Sequence, residues 1–304
     1  MESNSLTPEK LTAGLCPVHR KAIMKYRHTG STFSSLSLKI GGVFLFLLFT
    51  LVSTGWAAPP VRTSATKEAL LKKVQTLIRS DESNATNLQQ AVTLLKNGLR
   101  QYPEDPQILL KLAEATYRQA DPSADIDKTF PLYARAGALA RKALDVQPKL
   151  SEGHYWHGLF LLKKAQKVGG LRAFFIVRDG IKELDEVRKE LPAYDHGGAA
   201  RVLGLLYCVA PGWSPFGDVG KSIALEKEAI QVAPNYLLNR LYLARAYQKK
   251  GDEKAAVLEY RKMLAITPAA TDLRNERRYQ DEARQKLASL GQPLQANSSP
   301  ILPD

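Results

Sequence analysis

Cysteine is nearly absent: Cys16 and Cys208 are the only two in 304 residues. Cys208 stands alone once the N-terminal leader described below is set aside, which excludes an internal disulfide framework. Its neighbours Leu206, Tyr207 and Val209 make it a small core residue. Histidine is scarce as well, at five. His154 and His157 lie three apart on one helix face, yet no Cys or third His stands near to complete the four ligands of a structural zinc. They fall at packing positions of a repeat, so no metal is expected. The net charge is +13, but basic and acidic residues interleave, which excludes a nucleic-acid footprint and leaves a general attraction to anionic surfaces.

Signatures of catalysis are also lacking. There is no G-x-S-x-G elbow and no clustered acid, base and nucleophile, so neither an enzyme nor a cofactor is expected. Asp195-His196-Gly197-Gly198 has the letters of an acid–base pair, but it stands at a helix start, where Asp195 is expected to cap the helix. The stretch APGWSPFGDVGKS, Ala210 to Ser222, ends like a phosphate-binding loop. The position that needs the first glycine holds Pro215, which fixes φ and has no N–H, and the residues upstream read as a helix where the motif requires a strand. A nucleotide is excluded, and the stretch needs another account.

The first 39 residues are polar and basic. An apolar run follows, Ile40 to Ala57, with Lys25, Arg27 and Lys39 before it and the small residues Gly55 and Ala57 at its end. This is the layout of a secretory signal cleaved after Ala57, with an uncleaved membrane anchor as the alternative. Met24 opens a more ordinary n-region and is an alternative start. Cys16 precedes the apolar run, so there is no lipoprotein signal. Either way the body is expected outside the cytoplasm, periplasmic or tethered by its N-terminal segment. Loss of residues 1–57 removes six basic and two acidic residues, leaving 37 and 28 and a net charge of +9.

Prolines keep a beat through the remainder: Pro103, Pro148, Pro192, Pro234 and Pro268, at intervals of 45, 44, 42 and 34. The last interval is the tetratricopeptide period. Leu243-Ala244, Tyr247, Gly251-Asp252, Ala256, Tyr260 and Pro268 fall on the positions of that repeat. Small residues let its two helices approach, large ones fill the gaps, and the proline stops the second helix. Leu112-Ala113, His157-Gly158 and Leu203-Gly204 restart the first helix, A, in earlier units. The excess length falls between helix A and helix B, in PSADIDKTFPL, KVGGLRAFF and APGWSPF. The expected organisation is a basic N-region and leader (1–57), an all-α tetratricopeptide-like solenoid with enlarged A–B junctions (58–291) and a disordered tail (292–304). Within the solenoid, 271–291 is expected to be a polar capping helix that stops at Gly291.

The segments LAEATYRQA, GHYWHGLFLL, GAARVLGLLY, APGWSPFGD and NRLYLARAYQKKGDEKAA resemble two families. One is the T component of tripartite ATP-independent periplasmic transporters. The other is the eukaryotic regulator of microtubule dynamics proteins. The first resemblance implies an envelope helical-repeat protein with a central pore, working beside a substrate-binding protein in ligand uptake. The alternative function is a generic protein–protein scaffold in envelope assembly.

In tetratricopeptide arrays, A-helix positions 2, 5, 9 and 12 line the inner face. Here they are largely apolar, with Tyr117 and Tyr155 among them and Arg201 and Arg245 as the cations. This face is either core, if the array closes on itself, or a groove for an apolar protein segment or an amphipathic anion. In the stretch from Ala210, Pro211 is expected to end helix A and Asp218 to cap helix B, but Trp213 and Phe216 exceed what a turn needs. They are expected at a ligand mouth or a subunit contact of a homo-oligomer, with plugging of the core beneath the loop as the alternative.

Overall fold

A computed structural model of the chain describes residues 64–79, 85–120, 124–268 and 273–292. The leader with its Ala57 site, Cys16 and the tail from 293 onward lie outside the described residues. Among the described residues there are eleven helices and no strand. Helices α1 (Ser64–Arg79) and α2 (Ala85–Gln101) form the first pair. Four A/B pairs follow: α3 (Pro106–Arg118) with α4 (Ile126–Val146), α5 (Ser151–Val168) with α6 (Gly170–Glu190), α7 (Gly198–Val209) with α8 (Val219–Val232), and α9 (Leu237–Lys250) with α10 (Glu253–Ala265). Helix α11 (Leu273–Ser289) closes the array. Among the described residues no helix is long and apolar enough to cross a membrane.

The repeat works through its small residues. Ala113, Gly158, Gly204 and Ala244, one per A helix, are all buried. At Gly158 a Cβ would stand 2.9 Å from the Leu184 side chain, and Leu184 is fully buried. Close approach at this residue is therefore what brings α6 onto α5. Helix α11 does the capping expected of it. The Gln280 amide donates to the carbonyls of Met263 (2.9 Å) and Ile266 (2.8 Å) at the C-terminus of α10.

Two junctions differ from their sequence reading. PSADIDKTFPL and KVGGLRAFF are mostly helix: α4 begins at Ile126, before Pro131, and α6 begins at Gly170. Asp125 caps α4 by accepting from the Asp127 amide. Only APGWSPF remains a loop. Asp218 caps α8 as expected, accepting from the Lys221 amide at 2.9 Å, and α7 stops at Val209, just before Pro211. Gly217 is required by contact, since a Cβ there would lie 2.1 Å from the Pro211 carbonyl oxygen. Gly212 has no such neighbour, and neither glycine adopts positive φ. Lys221, the lysine of the apparent phosphate loop, sits 4.1 Å over the Tyr207 ring and donates to its hydroxyl.

Candidate functional site

The inner face is built from α3, α5, α7 and α9, and its centre is a turn. Asp195, His196 and Gly197 all have positive φ, at 48°, 59° and 77°. The left-handed region is costly for residues with a Cβ, so two non-glycine residues there require compensation. It comes from Arg201, which is 4% exposed. Its guanidinium donates to the Asp195 carboxylate (2.6 Å), to the Asp195 carbonyl (3.0 Å) and to the Asn239 amide oxygen (3.1 Å). The Tyr155 hydroxyl donates to the same carboxylate at 2.6 Å, and Arg118 approaches its other oxygen at 3.5 Å. Asn239 in turn donates to the carbonyls of His196 and Ala229.

Asp195 is therefore not the cap of α7. That position is held by Gly197, with no side-chain hydrogen bond. Burial opposes ionisation of Asp195, but Arg201, Arg118 and the Tyr155 hydroxyl outweigh it and hold the carboxyl below the usual range. Burial likewise opposes the charge on Arg201, and the Asp195 carboxylate reverses the shift and raises it.

Aromatic rings surround this hub. Tyr155 meets Trp156 and Tyr194 edge-on at 5.2 and 5.1 Å. Tyr117 tilts against Tyr133 and Trp156 at 4.8 and 5.5 Å. The Trp156 indole donates to the Tyr194 hydroxyl at 3.0 Å. Arg118 lies 5.9 Å over Trp156, and Arg201 5.0 Å over Tyr236. Burial first, then Tyr133 and Tyr242, push the Tyr117 phenol upward. Tyr242 of α9 is thus within electrostatic reach of α3 across the inner face.

The inward positions divide into two groups. Leu110, Glu114, Tyr155, Leu159, Arg201 and Leu241 are buried, so this part of the face is core. Tyr117, Leu205, Cys208, Leu238, Arg245 and Gln248 remain half-buried on that face. Cys208 packs against the cluster of Ile223, Leu243 and Ala246. Arg245 is held by Glu282 of α11, with its Nε donating at 3.0 Å, and lies 5.4 Å over Tyr242. Arg118 is paired with Glu114 at 3.2 Å. Arg118, Arg201 and Arg245 thus each face a carboxylate, which leaves no unpaired guanidinium among them for an anion.

Glu226 of α8 is fully buried, and its two carboxylate oxygens have no hydrogen-bond partner among the described residues. Burial pushes its carboxyl well above the usual range. It occupies the space at Gly204, where a Cβ would come within 2.4 Å of its Oε1.

Trp213 and Phe216 sit elsewhere, on the edge where A helices turn into B helices. Trp213 is 88% exposed, so it plugs no core. Phe216 is half-buried and packs on Phe174 of α6 at 5.2 Å.

His154 and His157 both turn to Glu183 of α6. His157 Nδ1 lies 2.9 Å from it, His154 Nδ1 is a second partner, and His154 Nε2 is 2.9 Å from the Pro148 carbonyl oxygen. Burial opposes protonation of His154, but Glu183 and the Pro148 carbonyl raise its pKa; both histidines hold Glu183 low against its own burial.

The model of the family "Regulator of microtubule dynamics protein 1-3" matches residues 70–172, from α1 to the first turn of α6 and less than half of the chain. No curated protein matches. Among solved structures, a thermophilic TPR protein of Thermus thermophilus is 20% identical; the match covers 72% of this chain and 99% of that one, with a TM-score of 0.55. MamA 41-end from Desulfovibrio magneticus RS-1 is 21% identical over 66% of this chain and 93% of its own, with a TM-score of 0.42. The fold is tetratricopeptide-like. At these identities the likeness speaks of fold alone.

Several residues of the site escaped the sequence reading. Asp195 was legible as an acid and misassigned as a cap, because three consecutive left-handed residues cannot be read from letters that include only one glycine at the right place. Arg118, Tyr194, Tyr236 and Asn239 carry no local motif. Helix α1 did have a signal in the spacing of Leu70, Leu71, Val74, Leu77 and Ile78, which is that of one apolar helix face.

Proposed function

We propose that the chain is an exported tetratricopeptide-like scaffold of the cell envelope that binds a segment of a protein partner along the inner groove, and that it is not an enzyme. The observation that carries this is the state of the groove side chains. Tyr117, Arg118, Tyr242 and Arg245 are partly exposed, yet each is fixed by a ring or a carboxylate. Tyrosine and arginine dominate the energetics of protein interfaces, and side chains already ordered lose little entropy on binding. Export rests on the apolar run of residues 40–57 and its small-residue site.

Uptake of a ligand beside a substrate-binding protein, the role implied by the T-component resemblance, is the narrower reading. The aromatic lining supports it for an apolar ligand. The internal pairing of Arg118, Arg201 and Arg245 speaks against a small free anion.

The test is a photoreactive amino acid at position 242, compared with one at the exposed Lys254, in the native host. A discrete protein adduct from 242, lost in Arg118→Ala, is the expected result and identifies the partner, a substrate-binding protein included. Equal labelling from both positions removes the groove from the argument.

A further inference from the structure

The longest helix pair carries apolar side chains that the fold does not use. Buried residues of α6 begin only at Gly180, followed by Leu184 and Val187. In α5 the last buried residue is Ala165. Between those points no residue is buried, and the hairpin turns on Gly169 and Gly170. Both have positive φ, at 64° and 58°, and no atom within 4 Å of where a Cβ would be. On this stretch Leu171 is 79% exposed, Phe175 50%, Val168 45% and Phe174 36%. Phe174 packs at a tilt on Phe216, which joins the Trp213 loop to the same patch. Contiguous exposed apolar patches mark surfaces that meet a protein, a ligand or a membrane.

Charge identifies the partner. From Lys163 to Lys182 the chain carries six basic residues and a single acid, Asp179. Lys167 is neutralised by Asp127 of α4, and Lys163 lies over the Tyr133 ring. Arg178 lies 5.5 Å over Phe175, and Arg172 at the tip has no ion pair among the described residues. An exposed tip of Leu, Phe and Trp with lysine and arginine around it and one acid is the composition of an interfacial membrane anchor, in which apolar tips enter the acyl boundary and basic groups stay at the headgroups.

We propose that the α5–α6 hairpin tip, together with the Trp213 loop, docks the scaffold on the surface of a bilayer rich in anionic lipid. This stands apart from the groove reading, and either can fail without the other.

The full chain with a photoreactive amino acid at position 171 is bound to vesicles of phosphatidylglycerol and phosphatidylcholine, with position 258 as control. Leu258 is also exposed, at 53%, but belongs to the regular repeat. Because the readout is lipid attached at a named position, any contribution of residues 40–57 to vesicle binding does not produce it. Lipid adducts are expected at 171 and not at 258. They should fall about tenfold or more in Arg172→Glu/Arg178→Glu and on phosphatidylcholine alone, since each basic residue near an anionic surface contributes about fivefold. The same substitutions at exposed positions should leave the melting temperature unchanged, which separates lost docking from lost folding. Lipid labelling at 171 no greater than at 258, labelling indifferent to lipid charge, or adducts only to protein, whether another chain or residues 40–57 of this one, would each overturn the proposal.

Discussion

In the pair α9–α10 the helices run 14 and 13 residues and turn on Gly251 and Asp252; in the pair α5–α6 they run 18 and 21 and turn on Gly169. Both pairs zip along the same kind of seam, a small A-helix residue against large B-helix ones: Ala244 near Tyr260 and Met263, Gly158 against Leu184. In the short pair the seam and the helices end together, and Leu258 is the one large apolar side chain there among the exposed ones. In the long pair the helices outrun the seam. Stability selects only the part that packs, so residues past it answer to another requirement.

The largest test of that division is side-chain truncation on either side of it. Tyr260→Ala in the short pair should cost about 3–5 kcal/mol, and Leu184→Ala in the long pair about 2–5 kcal/mol, because both leave cavities. Leu171→Ala and Phe175→Ala, on the same helix as Leu184, should stay within about 0.5 kcal/mol. Chemical denaturation of the four variants measures this, and a cost above about 2 kcal/mol at Leu171 would make the tip part of the core.

The long pair is tied to its neighbours through Asp195, for which the short pair has no equivalent turn. Asp195→Ala leaves the buried Arg201 without its carboxylate and should cost about 3–5 kcal/mol. With the depressed pKa of Asp195, the wild-type stabilisation is present above the ordinary carboxylate range and is lost as pH falls through the lowered value. The variant should therefore lose less stability than wild type on acidification.

The turns themselves sharpen the comparison further. Gly251 (φ 84°, ψ 11°) is left-handed, whereas Gly169 (φ 64°, ψ −174°) lies in a region essentially restricted to glycine; both have open space around them. Alanine should cost about 1 kcal/mol at Gly251 and about 1–3 kcal/mol at Gly169 through backbone strain alone. Equal losses in thermal melts would show that this difference in turn conformation carries no difference in strain.

The smallest effect is a pH slope confined to the long pair. His154 is raised above 6.5, so its contribution is complete below that pH and fades as pH rises through the raised value. Glu183 is lowered below 4.5, so its contribution is present above 4.5 and fades as pH falls through the lowered value. The His–Glu clasp is strongest between the two, and the melting temperature should decline from pH 6 toward pH 8. Glu183→Gln should flatten that decline; an unchanged slope would place its origin elsewhere.

The repeat was legible from the sequence because it depends on local rules: helical periodicity, small residues at fixed offsets, and proline or glycine at helix ends. Ala244, Ala256, Tyr260 and Pro268 state them within one period of 34 residues. Asp218 as a cap was legible for the same reason, since its partner is the Lys221 amide three residues on. The inner face was not. Whether Tyr155 and Arg201 would be core and Tyr117 and Arg245 groove depends on how far successive A helices rotate toward each other, a sum of small packing offsets that no single repeat encodes. The bond of Arg201 to Asn239 and the contact of Phe216 with Phe174 join residues 38 and 42 positions apart. The sequence by itself determined that helices pair and where they stop. Only the tertiary structure decided which side chains the stacked pairs bury and which they leave bare, because burial is a property of neighbours.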